Sequence, residues 1–243
     1  MDYAIVSEKG DRQINEDSAA AVECDGNMLF VLADGLGGHG HGEVASGIVT
    51  ETARAVLSEK KCGFEELDNL IETVIEDAQA KLFERQEKDS DSSSYKTTAV
   101  LLAVNEQMVR WGYIGDSRLY YFRKNRIVTR TLDHSVPQML VNAGKLKEKH
   151  IRHHEDRNKL LRVLGTRYDS VKYVIESAVQ REEKQAFLLC SDGFWECIEE
   201  KQMTKFLKKS HSAQEWLDLM TEEVLKNGRR TNMDNYSAVA IIM

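Results

Sequence analysis

Proline is nearly absent: Pro137 stands alone in 243 residues. Long Pro-rich tails and linkers are thereby excluded. Cysteine is scarce as well. Cys24, Cys62, Cys190 and Cys197 form no C-x-x-C pair, so no zinc ribbon is spelled out, and four reduced thiols in a cytosolic protein are expected. No apolar run approaches the ~20 residues of a membrane span, and Met1 to Gly10 has no apolar core of a secretion signal. A cytoplasmic location with no membrane partner is the expectation. Basic charge is in deficit, with 33 Lys and Arg against 40 Asp and Glu and a net charge of −7. This disfavours nucleic acid as a partner, which calls for a basic face. It suits a centre that gathers divalent cations.

What is present is ordinary for a globular chain: 42% hydrophobic and 30% charged residues. At this length roughly 70–75% of the unfolded surface can be buried. With no repeat and no compositional boundary, residues 1–243 are expected to form one domain, as a monomer. The polar stretch Asp89 to Ser94 reads as an exposed loop.

Apolar residues recur at helical spacing in two early segments, Glu43 to about Lys60 and about Phe64 to Lys88. Ser212 and Glu215 form a capping box ahead of a third helix, with Gly228 as its expected end. Between them lie short strand candidates: Ala4–Ser7, Ser18–Glu23, Met28–Ala33, Thr97–Val104, Met108–Ile114, Leu119–Arg123, Arg126–Arg130, Val171–Glu176, Ala186–Cys190 and Ser237–Ile242. Their turn-length gaps favour antiparallel hairpins. Helices that arrive in pairs rather than after each strand disfavour a doubly wound parallel sheet. The simplest layering is α+β, a four-layer α/β/β/α sandwich of two central antiparallel sheets flanked by helix pairs.

Aspartates sit at the edges of these strands. Met28 to Ala33 runs into Asp34-Gly35, Ala186 to Ser191 into Asp192-Gly193, and Trp111 to Gly115 into Asp116, while Asp234 precedes Tyr236 to Ile242. One Asp-Gly is most simply a turn. Several acids converging on one rim repel one another unless cations lie between them. Oxygen donors suit Mg²⁺ or Mn²⁺, whereas zinc prefers His and Cys. Glu16 and Asp17 add two carboxylates, and Arg12 is apt for clamping a phosphate with its planar fork.

Gly35 to Gly40 satisfies G-x-G-x-x-G between a strand and a helix, but Asp34 would repel a pyrophosphate and no βαβ alternation follows. His39 and His41 read as helix-entry residues more readily than as ligands. Lys145 to Lys159, rich in Lys, Arg and His, is a solvated loop or else a flap over an anionic substrate. Ser117 and Ser191 lie outside any G-x-S-x-G nucleophile motif.

Together these segments resemble the metal-dependent protein phosphatases of type 2C, in their compact bacterial form. The stretches that carry the resemblance are Gly10–Asp17, Asp34 to Gly38 with Gly42 to Ser46, Lys96 to Ala99, Gly115 to Arg118, Asp133 to Ser135, Leu164-Gly165, Ser191 to Gly193 and Asp234 to Ser237. They follow the family's order across nearly the whole chain. The resemblance implies hydrolysis of phosphoserine and phosphothreonine in proteins, by a water activated between two metal ions and without a phosphoenzyme. The implied cofactors are two or three Mn²⁺ or Mg²⁺ ions. Asp34 would bridge two ions, with Glu16 and the Gly35 carbonyl on one and Asp192 and Asp234 on the other. Asp17 would act through metal-bound waters, Arg12 would hold the substrate phosphate, and Asp116 with Asp192 would bind a third ion. Residues about 136–160 would form a flap.

The chain departs from the pattern at Leu36, where many relatives carry a histidine proposed as general acid. A metal-bound water, His39 and His41 are the candidates left for protonating the leaving group. The implied partners are phosphoprotein substrates of a serine/threonine kinase. The rival function is a catalytically inactive regulatory module of the same fold, which characteristically loses metal carboxylates.

Overall fold

The computed structural model describes residues 1–37, 41–59, 67–91, 94–168, 173–229 and 232–243. Eleven strands appear among them. Sheet order is β1(Asp2–Glu8), β11(Tyr236–Ile242), β10(Gln185–Cys190), β6(Arg118–Arg123), β7(Arg126–Arg130) in one sheet. The other runs β2(Asp17–Cys24), β3(Asn27–Asp34), β4(Ala99–Val104), β5(Met108–Ile114), β8(Val174–Ile175), with β9(Val179–Gln180) also on β5. Each pairing between these strands is antiparallel.

The layering follows from the two-residue period of the strands. On β3, Leu29, Val31 and Ala33 face α1(Gly42–Glu59) and α2(Leu67–Lys88). The alternate residues Phe30 and Leu32 instead join Val100, Leu102, Trp111, Phe187, Leu189 and Val239 between the two sheets. Burial on both faces is why this strand is an unbroken apolar run rather than an alternating one. The outer face of the first sheet, through Tyr120, Leu188 and Ala240, packs on Met203, Trp216 and Met220. These last three belong to α5(Glu200–Leu207) and α6(Ala213–Gly228). The expected four-layer α/β/β/α sandwich is therefore found.

Several local expectations need correction. Cys24 is disulfide-bonded, not a reduced thiol, with a partner outside the described residues; Cys190 and Cys197 are free. Gly228 is the last residue of α6, as expected, with Arg229 as the capping residue at φ −56° rather than a left-handed glycine beyond it. Half of the capping box forms: Ser212 accepts from the Glu215 N–H at 3.1 Å, but Glu215 accepts from His211. Of the strand expected at Val171–Glu176, Val174–Ile175 is strand among the described residues, and 171–172 lie outside them, as do Phe64 and His39. Lys145 to Lys159 is not a bare solvated loop. After α3(Val136–Asn142), Glu148–His153 form a 3₁₀ turn with Ile151 buried, and Arg152 and Arg157 bond to Glu200 and Glu196.

Candidate metal centre

The carboxylates gather where the two sheets meet at one end. Asp34 closes β3 and is the cross-strand partner of Asp17, which opens β2. The Gly35 N–H donates to the Glu16 carbonyl at 3.0 Å. The Asp34 peptide is held on both sides: its N–H donates to Thr98 Oγ1 at 3.0 Å, and its carbonyl accepts from the Thr98 N–H at 2.8 Å and Thr97 Oγ1 at 2.9 Å. Thr98 Oγ1 in turn lies 2.7 Å from Ser117 Oγ. Gly115, at φ +106°, passes so close that a Cβ there would come within 2.5 Å of Thr98 Cγ2. Only glycine meets both demands. The Thr-Thr pair thus ties the Asp34 and Asp116 turns into one unit.

The other sheet delivers Asp192 and Asp234. Asp192 opens the short helix α4(Asp192–Trp195) after β10, and Asp234 stands just ahead of β11. Asn235 clamps the N-terminal loop to them. Its Oδ1 accepts from the Glu16 N–H at 2.9 Å, and its Nδ2 donates to the Lys9 and Ile14 carbonyls, each at 2.9 Å. Gly10, at φ +58°, lies where a Cβ would come within 2.3 Å of the Asp234 carbonyl oxygen. Arg12, on this loop, pairs with Asp234 at 2.7 Å.

A cleft of about 640 Å³ opens between these turns, lined by Arg12, Glu16, Asp34, Gly35, Asp116, Asp192 and Asp234. Lys96 and the segment Leu160 to Val163 form its further walls. Asp17 stands behind the cleft rather than in it. It is 7% exposed; Ser191 Oγ donates to its Oδ2 at 2.8 Å, while its Oδ1 has no hydrogen-bond partner among the described residues. Ser191 and Ser117 are therefore structural hydroxyls. His41 stacks on Tyr95 with ring centroids 4.8 Å apart and is not a cleft-lining residue.

Electrostatics bind these carboxyls together. Burial drives the Asp34 carboxyl well above its ordinary range, and repulsion from Asp17, Asp192, Asp116 and Asp234 adds to it. Burial, then Glu196 and Asp234, push Asp192 up to about 7. Asp17 also rises to about 7, through burial and then Asp192 and Asp234, against hydrogen bonds from Ser237 and Ser191. Asp116 is raised by burial and by Asp192 and Asp133. Glu16 is raised by burial, Glu43 and Asp234. So much like charge, more than Arg12, Lys96 and Arg162 on the cleft walls can offset, has a natural complement in hard divalent cations, which carboxylate and carbonyl oxygens suit. No three His, Cys, Asp or Glu among the described residues already close into a ligand cage; the acids ring the floor of an open cleft. The orphaned Asp17 oxygen and the all-oxygen donor set fit such ions.

Two features escaped the sequence reading. Asn235 was visible only as a motif member, with nothing to mark it as a three-way clamp. Trp195 donates from its indole to the Asp116 carbonyl at 3.0 Å, and only its place three residues after Asp192 could have suggested it.

This fold and acid-floored cleft define a four-layer sandwich with an oxygen-donor centre at the sheet ends. The family model described as protein phosphatase 2C matches residues 7–235. The chain belongs to the protein phosphatase 2C family. It is 28% identical over 225 residues to the serine/threonine phosphatase stp of Listeria welshimeri, covering 91% of this chain and 88% of that one. Among solved structures, Stp1 of Staphylococcus aureus superposes with a TM-score of 0.88 at 25% identity, covering 99% and 94% of the two chains. The catalytic domain of the serine/threonine phosphatase PstP, in complex with two manganese ions, gives a TM-score of 0.82 at 26% identity, covering 98% and 96%.

Proposed function

We propose that this protein hydrolyses phosphoserine and phosphothreonine in proteins, with Mn²⁺ or Mg²⁺ as cofactor. The observation that carries the reading is the convergence of Asp34, Asp116, Asp192 and Asp234 on one cleft beside Arg12, where burial and mutual repulsion raise the carboxyls of Asp34, Asp116 and Asp192. The names of the relatives, serine/threonine phosphatases one of which holds two manganese ions, support it.

Asp34, Glu16 and the Gly35 carbonyl would hold one ion, and Asp34, Asp192 and Asp234 a second, with Asp116 and Asp192 available to a third. Two such ions, when bound, lower the pKa of a shared water and neutralise charge on the phosphoryl oxygens. Arg12 would exchange part of its pairing with Asp234 for the substrate phosphate, which its fork fits in bidentate fashion. Asp17, set behind the cleft with one free carboxylate oxygen, would orient water rather than ligate directly. Residues about 136–160 would form the flap, with Asn158 and Leu160 on the cleft wall.

A regulatory module predicts missing carboxylates, and Glu16, Asp34, Asp192 and Asp234 all stand at the cleft. Hydrolysis of p-nitrophenyl phosphate and of phosphothreonine peptides in Mn²⁺ tests the proposal. Folded protein that is inert toward both in Mn²⁺ and in Mg²⁺ would overturn it.

A further inference from the structure

Trp195 lies against the backbone that carries two of the carboxylates, those of Asp116 and Asp192. It lies on α4 with Asp192 and is 2% exposed. Its indole N–H, bonded to the Asp116 carbonyl at 3.0 Å, joins the element that carries Asp192 to the turn that carries Asp116. The guanidinium carbon of Arg118 stacks 3.4 Å from the indole centroid. Arg118 is itself fixed by two bonds to Asp133, at 2.8 and 2.7 Å.

The 3₁₀ turn Glu148–His153 supplies the remaining support. Arg152 donates to the Trp195 carbonyl and to Glu200 Oε1, each at 2.9 Å, and lies 5.4 Å from the indole centroid. Glu200 also accepts from the Tyr120 hydroxyl at 2.9 Å, and that hydroxyl accepts from Arg118 at 3.0 Å. Trp195 is therefore held through its ring, its indole nitrogen and its carbonyl at once. Partners of this kind behind a ligand fix its orientation and commonly change metal affinity when removed.

We infer that Trp195 is a positioning residue for Asp116 and Asp192, set in place by Arg152, so that the seating of the 148–153 turn tunes how tightly divalent cations are held. This rests on the functional reading above. Trp195→Phe keeps an aromatic ring for Arg118 and removes the indole donor; Arg152→Ala removes the support from the turn.

Calorimetric titration of the full chain with Mn²⁺ is the test. Trp195→Phe should bind Mn²⁺ about tenfold more weakly, and Arg152→Ala more weakly by a smaller factor. Turnover of p-nitrophenyl phosphate should recover in both as Mn²⁺ is raised to saturation. A merely structural role would lower the Tm in chelator and leave the Mn²⁺ affinity of the folded protein unchanged. Affinities within about twofold of wild type in both variants overturn the inference. If Trp195→Phe does not fold, Arg152→Ala alone decides by the same criterion. Wild type that neither binds Mn²⁺ nor hydrolyses the substrate overturns the functional reading, and the inference with it.

Discussion

Asp17 and Asp34 lie directly opposite each other across the β2–β3 ladder, an Asp–Asp pair in register, with Asp34 lining the cleft and Asp17 behind it. Like charges so placed destabilise a sheet. Of the two carboxylates, Asp17 accepts from the Ser191 hydroxyl at 2.8 Å. The strand end is thus built to be completed by positive charge. The fold accepts local repulsion that a cation would relieve.

One consequence is a pH dependence of stability in chelator. Asp17 and Asp192 are pushed up to about 7 in the folded chain, against ~3.9 when unfolded. A raised carboxyl is easier to protonate folded than unfolded, so its contribution is fully present below about pH 4 and is lost as pH rises through about 7. In chelator, Tm should fall between pH 5 and pH 8, and saturating Mn²⁺ should shrink that fall. A Tm that climbs over this range in chelator contradicts the electrostatic picture.

Asp34→Asn separates stability from activity. Removing the charge at the centre of the repelling group should leave Tm in chelator unchanged or higher. Mn²⁺-dependent hydrolysis should drop by at least about a thousandfold, the loss that follows when roughly 4 kcal/mol of transition-state stabilisation disappears. Activity within tenfold of wild type would remove Asp34 from the centre of the proposal.

Arg12 is a test of the phosphate clamp. Its pairing with Asp234 is half-exposed, with side chains 47% and 38% accessible, so its loss should scarcely move Tm. Arg12→Ala should raise KM for phosphopeptides by about tenfold or more. Arg12→Lys should restore only part of this, since an ammonium lacks the bidentate fork. Equal kinetics for Ala, Lys and wild type would rule the clamp out.

How much of this was legible beforehand depended on what kind of signal each residue left. The unbroken apolar runs ending in Asp34 and Asp192 exposed both the layering and the centre, because a strand buried on two faces has no polar alternation to blur its end. The acids therefore stood out singly. Asn235 did not, since a clamp made of backbone contacts to Lys9, Ile14 and Glu16 spans more than 200 positions and leaves no periodicity. The 148–153 turn was hidden for another reason. Its composition is that of a solvated loop, and it is ordered by Arg152 and buried Ile151, single residues with no local pattern. The disulfide at Cys24 was missed because spacing rules recognise close pairs only.

Asn235→Ala should therefore cost more than its single side chain suggests. It would leave the Glu16 N–H and the Lys9 and Ile14 carbonyls without this partner in a site only 5% exposed. At ~1–3 kcal/mol for a buried group left unsatisfied, the loss should be about 2–4 kcal/mol, read as the denaturant midpoint times its slope. Asn235→Asp should fare no better, because a carboxylate would face the two carbonyls. A loss below about 0.5 kcal/mol in both would show that the loop is held elsewhere.

The Arg118–Asp133 pair gives the largest stability effect expected here. The two side chains are 3% and 1% exposed, and Arg118 stacks on Trp195 while bonding both oxygens of Asp133. Asp133→Ala leaves a buried guanidinium without its bidentate partner and with only Glu200, 3.8 Å away, as counter-charge, a change that costs ~3–5 kcal/mol. For a chain of this size that is roughly a 10 °C fall in Tm. Asp133→Asn keeps an acceptor for one guanidinium N–H and should lose about half as much. If the pair acted through charge alone, Asn and Ala would be equally damaging. If it acted through packing alone, Asn would match wild type. The intermediate value is what the bidentate geometry requires, because one of its two bonds survives with a neutral acceptor in place of the carboxylate.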